Sequence, residues 1–254
     1  MSQLFRLDDK VAIITGASKG IGEAIAQGLA SFGAKVVVSS RKQDAVDEVA
    51  QGLRDQGFEA QGIACHMGNL EDIKALVEKT TALYGGVDII VNNAATNPVF
   101  GSIDQSDSGV FQKIMAVNVE GPFELCKAAY PSMKARGGGA IINISSIGGL
   151  KPESKIGLYS SSKAALINLT QAMAQDWGAD GIRANVICPG LIKTKFSEAL
   201  WKNDKIAGRF MQHVPLKRLG EAHDLAGMAV FLASPASAYC TGGVYLVDGG
   251  YLIA

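Results

Sequence analysis

The chain has 254 residues, 48% apolar and 19% charged, enough to bury a large core and too polar for an integral membrane protein. Lys plus Arg and Asp plus Glu are equal at 24 each, so no global field draws the chain to nucleic acid or an anionic bilayer. Any charged ligand must be held locally.

No apolar run reaches the ~18 residues of a membrane span. Arg6, Asp8, Asp9 and Lys10 leave no room near the start for the apolar core of a signal peptide. Cys65, Cys126, Cys188 and Cys240 lie far apart without CxxC pairing. They read as buried thiols in a reducing compartment, and the expected location is cytoplasmic.

Short apolar runs recur along the chain at 11–14, 36–38, 89–91, 141–144, 186–188 and 244–247, with a weaker seventh at 63–65. Runs rich in valine and isoleucine without polar alternation suit strands covered on both faces, hence a parallel sheet. Helical patterns lie between them. Ile21, Ile25, Leu29 and Phe32 fall on one stripe, and Gly33 follows where a left-handed C-terminal residue is wanted. A βα alternation from end to end, with no linker or repeat to divide it, predicts one α/β domain over 1–254.

The first run leads into Thr15-Gly16-Ala17-Ser18-Lys19-Gly20-Ile21-Gly22. Glycines between a strand and a helix let the backbone approach a pyrophosphate, whose charge sits against the free N–H groups of the helix start. Gly16, Ser18, Lys19, Gly20, Ile21 and Gly22 are therefore expected to bind a dinucleotide. The spacing is G-x-x-x-G-x-G, and the Gly-Lys-Ser/Thr of nucleotide triphosphatases is missing.

An NAD site wants a carboxylate at the end of the second strand. Ser39-Ser40-Arg41-Lys42 stands there, and no acid appears before Asp44. Ser40, with Arg41 and Lys19 bracketing a 2′-phosphate, predicts NADP(H) rather than NAD(H). The plain alternative is a surface arginine.

Tyr159-Ser160-Ser161-Ser162-Lys163 places a phenol and an ammonium on one helix face. A fixed cation favours phenolate and makes Tyr159 a candidate general acid and base. Thirteen residues earlier, the run 141–144 ends in Ser145-Ser146, at the sheet edge where open α/β folds bind ligands. A Ser146 hydroxyl there could hold a carbonyl oxygen. The alternative for such a pair is turn capping.

Taken in order, Gly16, Gly20 and Gly22, Asn92-Asn93-Ala94, Asn118, Ser146, Tyr159-x-x-x-Lys163 and Pro189-Gly190 resemble the short-chain dehydrogenase/reductase superfamily over essentially the whole chain. The resemblance implies a Rossmann-like, doubly wound parallel sheet of seven strands in the order 3-2-1-4-5-6-7, and commonly a homotetramer. It makes Tyr159 the acid/base and has Ser146 polarise the substrate carbonyl. Lys163 would lower the tyrosine pKa and bind the nicotinamide ribose, and Asn118 would anchor a water of the proton relay. It assigns Asn93, Ala94 and Ala95 to the adenosine side of the cofactor, and Pro189, Gly190, Ile192 and Thr194 to the nicotinamide side. Two positions depart from the pattern. His66, with Met67 after it, stands where the family has an aspartate by the adenine, and Ala95 replaces the last glycine of Asn-Asn-Ala-Gly.

The stretches 97–103, 190–194 and Leu200-Trp201 resemble the NADPH-dependent carbonyl reductases that accept retinal and aromatic ketones. A mobile lid is expected at about 191–215, with Phe196, Leu200, Trp201, Phe210 and Met211 as an apolar lining and Leu191, Phe196 and Trp201 on the substrate. That lining favours a lipophilic ketone or aldehyde, unless these residues pack the lid onto the body. Lys195, Lys202, Lys205, Arg209, Lys217 and Arg218 around it keep a 3-oxoacyl thioester reductase as the runner-up, with a polyol dehydrogenase as a further alternative. His213 and His223 show no ligand spacing, and no metal is expected. A non-catalytic dinucleotide sensor would lack one of Asn118, Ser146, Tyr159 or Lys163, and all are present.

Overall fold

A computed structural model of the chain describes residues 2–254. Seven parallel strands form one sheet: β1 (Val11–Thr15), β2 (Lys35–Ser40), β3 (Ala60–Ala64), β4 (Ile89–Asn92), β5 (Gly139–Ile144), β6 (Ile182–Pro189) and β7 (Val244–Val247). Their order is β3-β2-β1-β4-β5-β6-β7, as expected from the sequence. The connecting helices are α1 (Ile21–Ser31), α2 (Gln43–Arg54), α3 (Leu70–Tyr84), α4 (Ser108–Met115), α5 (Gly121–Ala135), α6 (Gly157–Trp177), α7 (Glu198–Trp201), α8 (Asp204–His213) and α9 (Ala226–Ala233).

The unbroken apolar runs have a direct explanation in the two faces of the sheet. Along β1, Ala12 and Ile14 point into the core shared with α1 and α9, while Ile13 points into the core under α3 and α5. In β5, Ala140 and Ile142 take the first face and Ile141 the second. Each such side chain leaves water completely, worth about 1.5–3 kcal/mol for a valine, leucine or isoleucine.

Differences from expectation fall where polar residues enter strands. β3 begins three residues before the expected start at 63, because Gln61 and Gly62 hide it. A Cβ at Gly62 would lie 2.8 Å from the Val46 backbone, so α2 packs directly onto the strand. β6 extends upstream through Arg183 and Asn185. Their side chains donate to the carbonyls of Leu232 and Cys240, each at 2.8 Å. On the α1 stripe, Ile25 and Leu29 are buried. Phe32 caps the helix half-exposed and packs against Phe5. Gly33 has φ +103°, as its place after the helix requires.

At the N-terminal edge of the sheet, the buried Asp88 carboxylate accepts from the Val11 amide at 2.9 Å and from Arg136 Nη2 at 2.8 Å and Nε at 3.0 Å. This pair lies at the end of the strands opposite the glycine loop, so it bears on stability and not on chemistry. Arg136→Met, which leaves the buried carboxylate only the longer 3.4 Å contact with exposed Lys10, is expected to lower the unfolding free energy by about 2 kcal/mol. Urea denaturation measures this, and a loss below about 0.5 kcal/mol would contradict it.

Candidate active site

β1 ends at Thr15, and Gly16 and Gly20 turn the chain with φ +63° and +65°, a region only glycine adopts freely. Space demands glycine as well: a Cβ at Gly22 would lie 2.5 Å from Asn93 Nδ2 and 2.6 Å from the Gly16 carbonyl. Gly20 is the N-cap of α1 and no side chain caps this helix, so its first amides are open to an anion. The cradle thus fits a dinucleotide pyrophosphate. Thr194 closes it from the far side, its Cγ2 3.2 Å from where a Cβ on Gly20 would stand.

Asn93 lies beneath the loop, but its side chain is engaged there. Nδ2 donates to the carbonyls of Thr15 and Gly16 at 3.1 and 3.0 Å. Thr15 Oγ1 accepts from the amides of Asn93 and Ala94. Of this segment, backbone and the half-buried methyl groups of Ala94 and Ala95 are left to face a ligand.

At the end of β2, Ser18 Oγ donates to Ser40 Oγ at 3.3 Å, tying the loop to the strand. Arg41 and Lys19 are exposed, and among the described residues neither side chain has a hydrogen bond or ion pair. His66 is exposed, with Nδ1 accepting from the Gly68 amide at 3.0 Å. Met67 departs from expectation: its side chain is 4% exposed and belongs to the core under α3. Alternation past β3 turns Cys65 and Met67 inward and His66 outward, so Met67 can meet a cofactor only through its backbone.

The catalytic candidates converge from three elements. Asn118 sits in a π-turn, Ala116–Glu120, between α4 and α5, a distortion common at functional sites. Its side chain is tied at both ends. Oδ1 accepts from the Thr96 amide at 2.8 Å, and Nδ2 donates to the Thr96 carbonyl and to Ser162 Oγ, each at 3.0 Å. Ser162 Oγ donates to the Tyr159 carbonyl at 2.7 Å. The clamp therefore joins the segment after β4 to α6. Both Nδ2 protons of Asn118 are used in this way, which leaves the second lone pair of Oδ1 as the side chain's free position for a water. Ser162, which looks like filler in the sequence, is part of the clamp.

Ser146 follows β5, and its Oγ accepts from the Gly148 amide at 3.0 Å. Tyr159 lies in the first turn of α6, with Lys163 one turn further. Lys163 is 2% exposed, a very low value for a lysine. Its Nζ donates to the Ile144 carbonyl at 2.8 Å and stands 5.6 Å from the centre of the Tyr159 ring. Ser145 Oγ in turn donates to the Lys163 carbonyl at 2.8 Å.

The expected electrostatic sign is reversed in the protein alone. Burial pushes the Tyr159 phenol well above the ordinary tyrosine range. The Ser146 hydroxyl pulls it down, and the charges of Glu153 and Cys188 push it further up. Burial also brings Lys163 down to about 8. Both groups are held toward their neutral forms, and desolvation is the largest cause for each. The ammonium, moreover, is hydrogen-bonded to a strand carbonyl rather than to the phenol.

Beyond β6, Ile192 pairs with Gly220, and α7 and α8 form the lid. Of Leu191, Phe196 and Trp201, Phe196 is the one whose ring pairs with Tyr159: it is exposed, and the ring centres lie 6.0 Å apart. Leu191 and Trp201 pack with Ala207, Leu219, Leu200, Phe210 and Met211 in a small core of the lid's own. Trp201 Nε1 donates to the Thr194 carbonyl at 2.8 Å. Two short helices, one of four residues, bury their apolar faces against each other and against Leu191 and Leu219. Much of the surrounding basic charge is paired: Lys195 and Lys202 both with Glu198, Lys193 with Glu221, and Arg218 with Asp224.

Two groups escaped sequence reasoning. Tyr251 stacks on Phe210 at 4.2 Å between ring centres, bringing the C-terminal segment to the lid. Glu153 is half-buried six residues before Tyr159. Neither carries a motif; only an acid close to the Tyr-x-x-x-Lys step could have pointed to Glu153.

Because burial holds the proton on Tyr159, ionisation in the cofactor-free protein is expected only above about pH 10. The phenolate absorbance gained up to that pH should be equal in wild type and Tyr159→Phe. One extra phenolate in the wild type below about pH 8 would contradict this.

Over residues 16–252 the chain matches the family described as Enoyl-(Acyl carrier protein) reductase. It is 44% identical over 245 residues, 96% of this chain and 88% of the relative, to Dehydrogenase/reductase SDR family member 4 of Sus scrofa. Identity to the Homo sapiens protein of that name is 43%, with coverages of 96% and 88%. The fold is similar to a solved gluconate 5-dehydrogenase from Burkholderia cenocepacia J2315 in complex with NADP and tartrate, with TM-score 0.96, 34% identity and coverages of 100% and 99%. It is also similar to a putative NAD(P) dependent gluconate 5-dehydrogenase from Beutenbergia cavernae with bound NADP, with TM-score 0.94, 33% identity and coverages of 99% and 100%. Fold, site and relatives agree: the chain belongs to the short-chain dehydrogenase/reductase family, oxidoreductases that interconvert a carbonyl and an alcohol with a nicotinamide dinucleotide.

Proposed function

We propose that the protein uses NADP(H) to reduce lipophilic ketones or aldehydes, and to oxidise the corresponding alcohols, with Tyr159 as acid and base. The observation that carries this reading is the convergence of Tyr159, Ser146 and the buried Lys163 at the sheet edge that also holds the open glycine loop.

The nicotinamide, when bound, supplies the hydride to the carbonyl carbon. Ser146 Oγ already accepts from the Gly148 amide, so its own proton is free to donate to the substrate oxygen. Tyr159, kept protonated by burial, gives its proton to that oxygen as negative charge builds on it. Lys163 in its charged form then stabilises the phenolate left behind. For oxidation the same groups act in reverse. Asn118 and Ser162 hold Tyr159's helix against the segment after β4.

NADP(H) is favoured by Arg41 and Lys19, exposed cations near Ser18 and Ser40 without side-chain partners among the described residues, and by the absence of an acid at the end of β2. NADP also appears in the names of two solved relatives. Gly16, Gly20, Ile21 and Gly22 would take the pyrophosphate; His66 and the backbone of Met67, Asn93, Ala94 and Ala95 would take the adenosine. Pro189, Gly190, Ile192 and Thr194 would flank the nicotinamide. Exposed Phe196 beside Tyr159 supports an apolar or aromatic substituent on the substrate. The paired lysines of the lid weaken the acyl-carrier alternative. The free cysteines fit a cytoplasmic setting. A homo-oligomer, tetrameric by resemblance, fits the exposed Leu246 on edge strand β7 and Tyr239 and Ile253 near it in sequence.

Tyr159→Phe is expected to reduce kcat for ketone reduction by about a thousandfold while NADPH affinity, read by fluorescence titration, stays within about threefold. Retained turnover would remove the acid/base assignment. Arg41→Asp is expected to lower the ratio of kcat/KM with NADPH to that with NADH by at least about tenfold. An unchanged ratio would show that Arg41 does not read the 2′-phosphate.

A further inference from the structure

Three serines fill the step from Tyr159 to Lys163, and two of them spend their hydroxyls on the helix itself. Ser161 Oγ donates to the Gly157 carbonyl at 3.0 Å, and Ser162 Oγ donates to the Tyr159 carbonyl at 2.7 Å. Ser160 differs from both. It is 1% exposed, and its Oγ has no hydrogen-bond partner among the described residues. A helical serine can bond back to the carbonyl four residues earlier, yet here the Ile156 carbonyl accepts the Ser160 amide at 2.9 Å and not its hydroxyl. Buried hydroxyls are rarely left this way.

Ser160 faces the turn that follows Ser146. Ile147–Gly149 forms one 3₁₀ turn, and it presses on α6: a Cβ at Gly149 would stand 2.8 Å from the Lys163 carbonyl carbon. At Gly148 the turn stands further off. A Cβ there would lie 3.1 Å from Ser160 Oγ and 3.4 Å from Ser146 Oγ, and the next atom beyond the adjoining residues, Ser160 Cβ, is 3.9 Å away. The two hydroxyls therefore border one small space in front of Gly148. They make no direct bond. Ser146 Oγ accepts from the Gly148 amide at 3.0 Å, which fills one of its two acceptor positions.

Resting on the reading of Ser146 as donor to the substrate oxygen, we propose that Ser160 is a positioning residue for it: the Ser160 hydroxyl donates to a water held in front of Gly148, and that water donates to Ser146 Oγ. A bridging water orients its partners nearly as well as a direct bond. With the Gly148 amide on one lone pair and the water on the other, Ser146 has only its proton left to offer. That proton goes to the carbonyl oxygen in the cleft. Ser160, itself buried, does not touch the substrate.

The test compares Ser160→Ala, Gly148→Ala and Ser146→Ala, and the double variant at 146 and 160, in ketone reduction with NADPH. Alanine suits a helix interior, so Ser160→Ala is expected to fold, while Gly148→Ala puts a methyl into the shared space and keeps both hydroxyls. Ser160→Ala and Gly148→Ala are each expected to lower kcat about fivefold to tenfold, the worth of one hydrogen bond. KM and NADPH affinity should stay within about twofold. Without the Ser146 hydroxyl, Ser160→Ala should lose nothing further, which a purely structural role would not predict. An unchanged kcat in either single variant, or a Ser160→Ala loss that persists in the Ser146→Ala background, would overturn the positioning role and leave the reductase reading intact. Full turnover by Ser146→Ala would instead remove Ser146 as the donor, and this inference with it.

Discussion

The site depends on an ammonium buried beneath a phenol at the C-terminal edge of a parallel sheet. A lysine is rarely so completely covered. Lys163 is tolerated because its Nζ has the Ile144 carbonyl 2.8 Å away, and because Ser145 fixes the backbone of its helix turn. The pair is bounded by the sheet below, by the Asn118 and Ser162 clamp at one side, and by the exposed Phe196 beside the ring of Tyr159. The cost is that both groups are pushed toward neutrality in the protein alone. On the proposed reading of Tyr159 as the acid, this is the useful resting state for reduction, since an acid that has already lost its proton has none to give.

The sheet brings these groups together by a simple rule. In an all-parallel arrangement every strand ends on the same side, so the segments after β1, β2, β4, β5 and β6 all open onto one edge. The glycine loop, Arg41, Asn93, Ser146 and Gly190 lie in those segments. The opposite edge carries the buried Asp88 and Arg136 pair, which holds strand ends together.

Strands buried on both faces were legible in the sequence because valine and isoleucine runs cannot be exposed on either side. Strand order was legible only through the resemblance, since periodicity says nothing about neighbours. The Tyr159 to Lys163 step was legible because helix geometry converts a spacing of four into one face. What the spacing could not reveal was the sign of the shift, which depends on how much water the fold removes. Met67 and Trp201 show a related ambiguity: the residue type fits a ligand site or a core equally well, and only packing shows where the side chain lies. Glu153 was missed because an isolated acid in a loop has no periodicity to mark it.

The central claim is that Tyr159 and Lys163 act as one unit. A double-mutant cycle on kcat, with Tyr159→Phe, Lys163→Met and both together, tests it most directly. If the lysine works through the phenol, the double variant loses no more than the worse single one. Losses that multiply would mean the two residues contribute independently, and the account would be wrong.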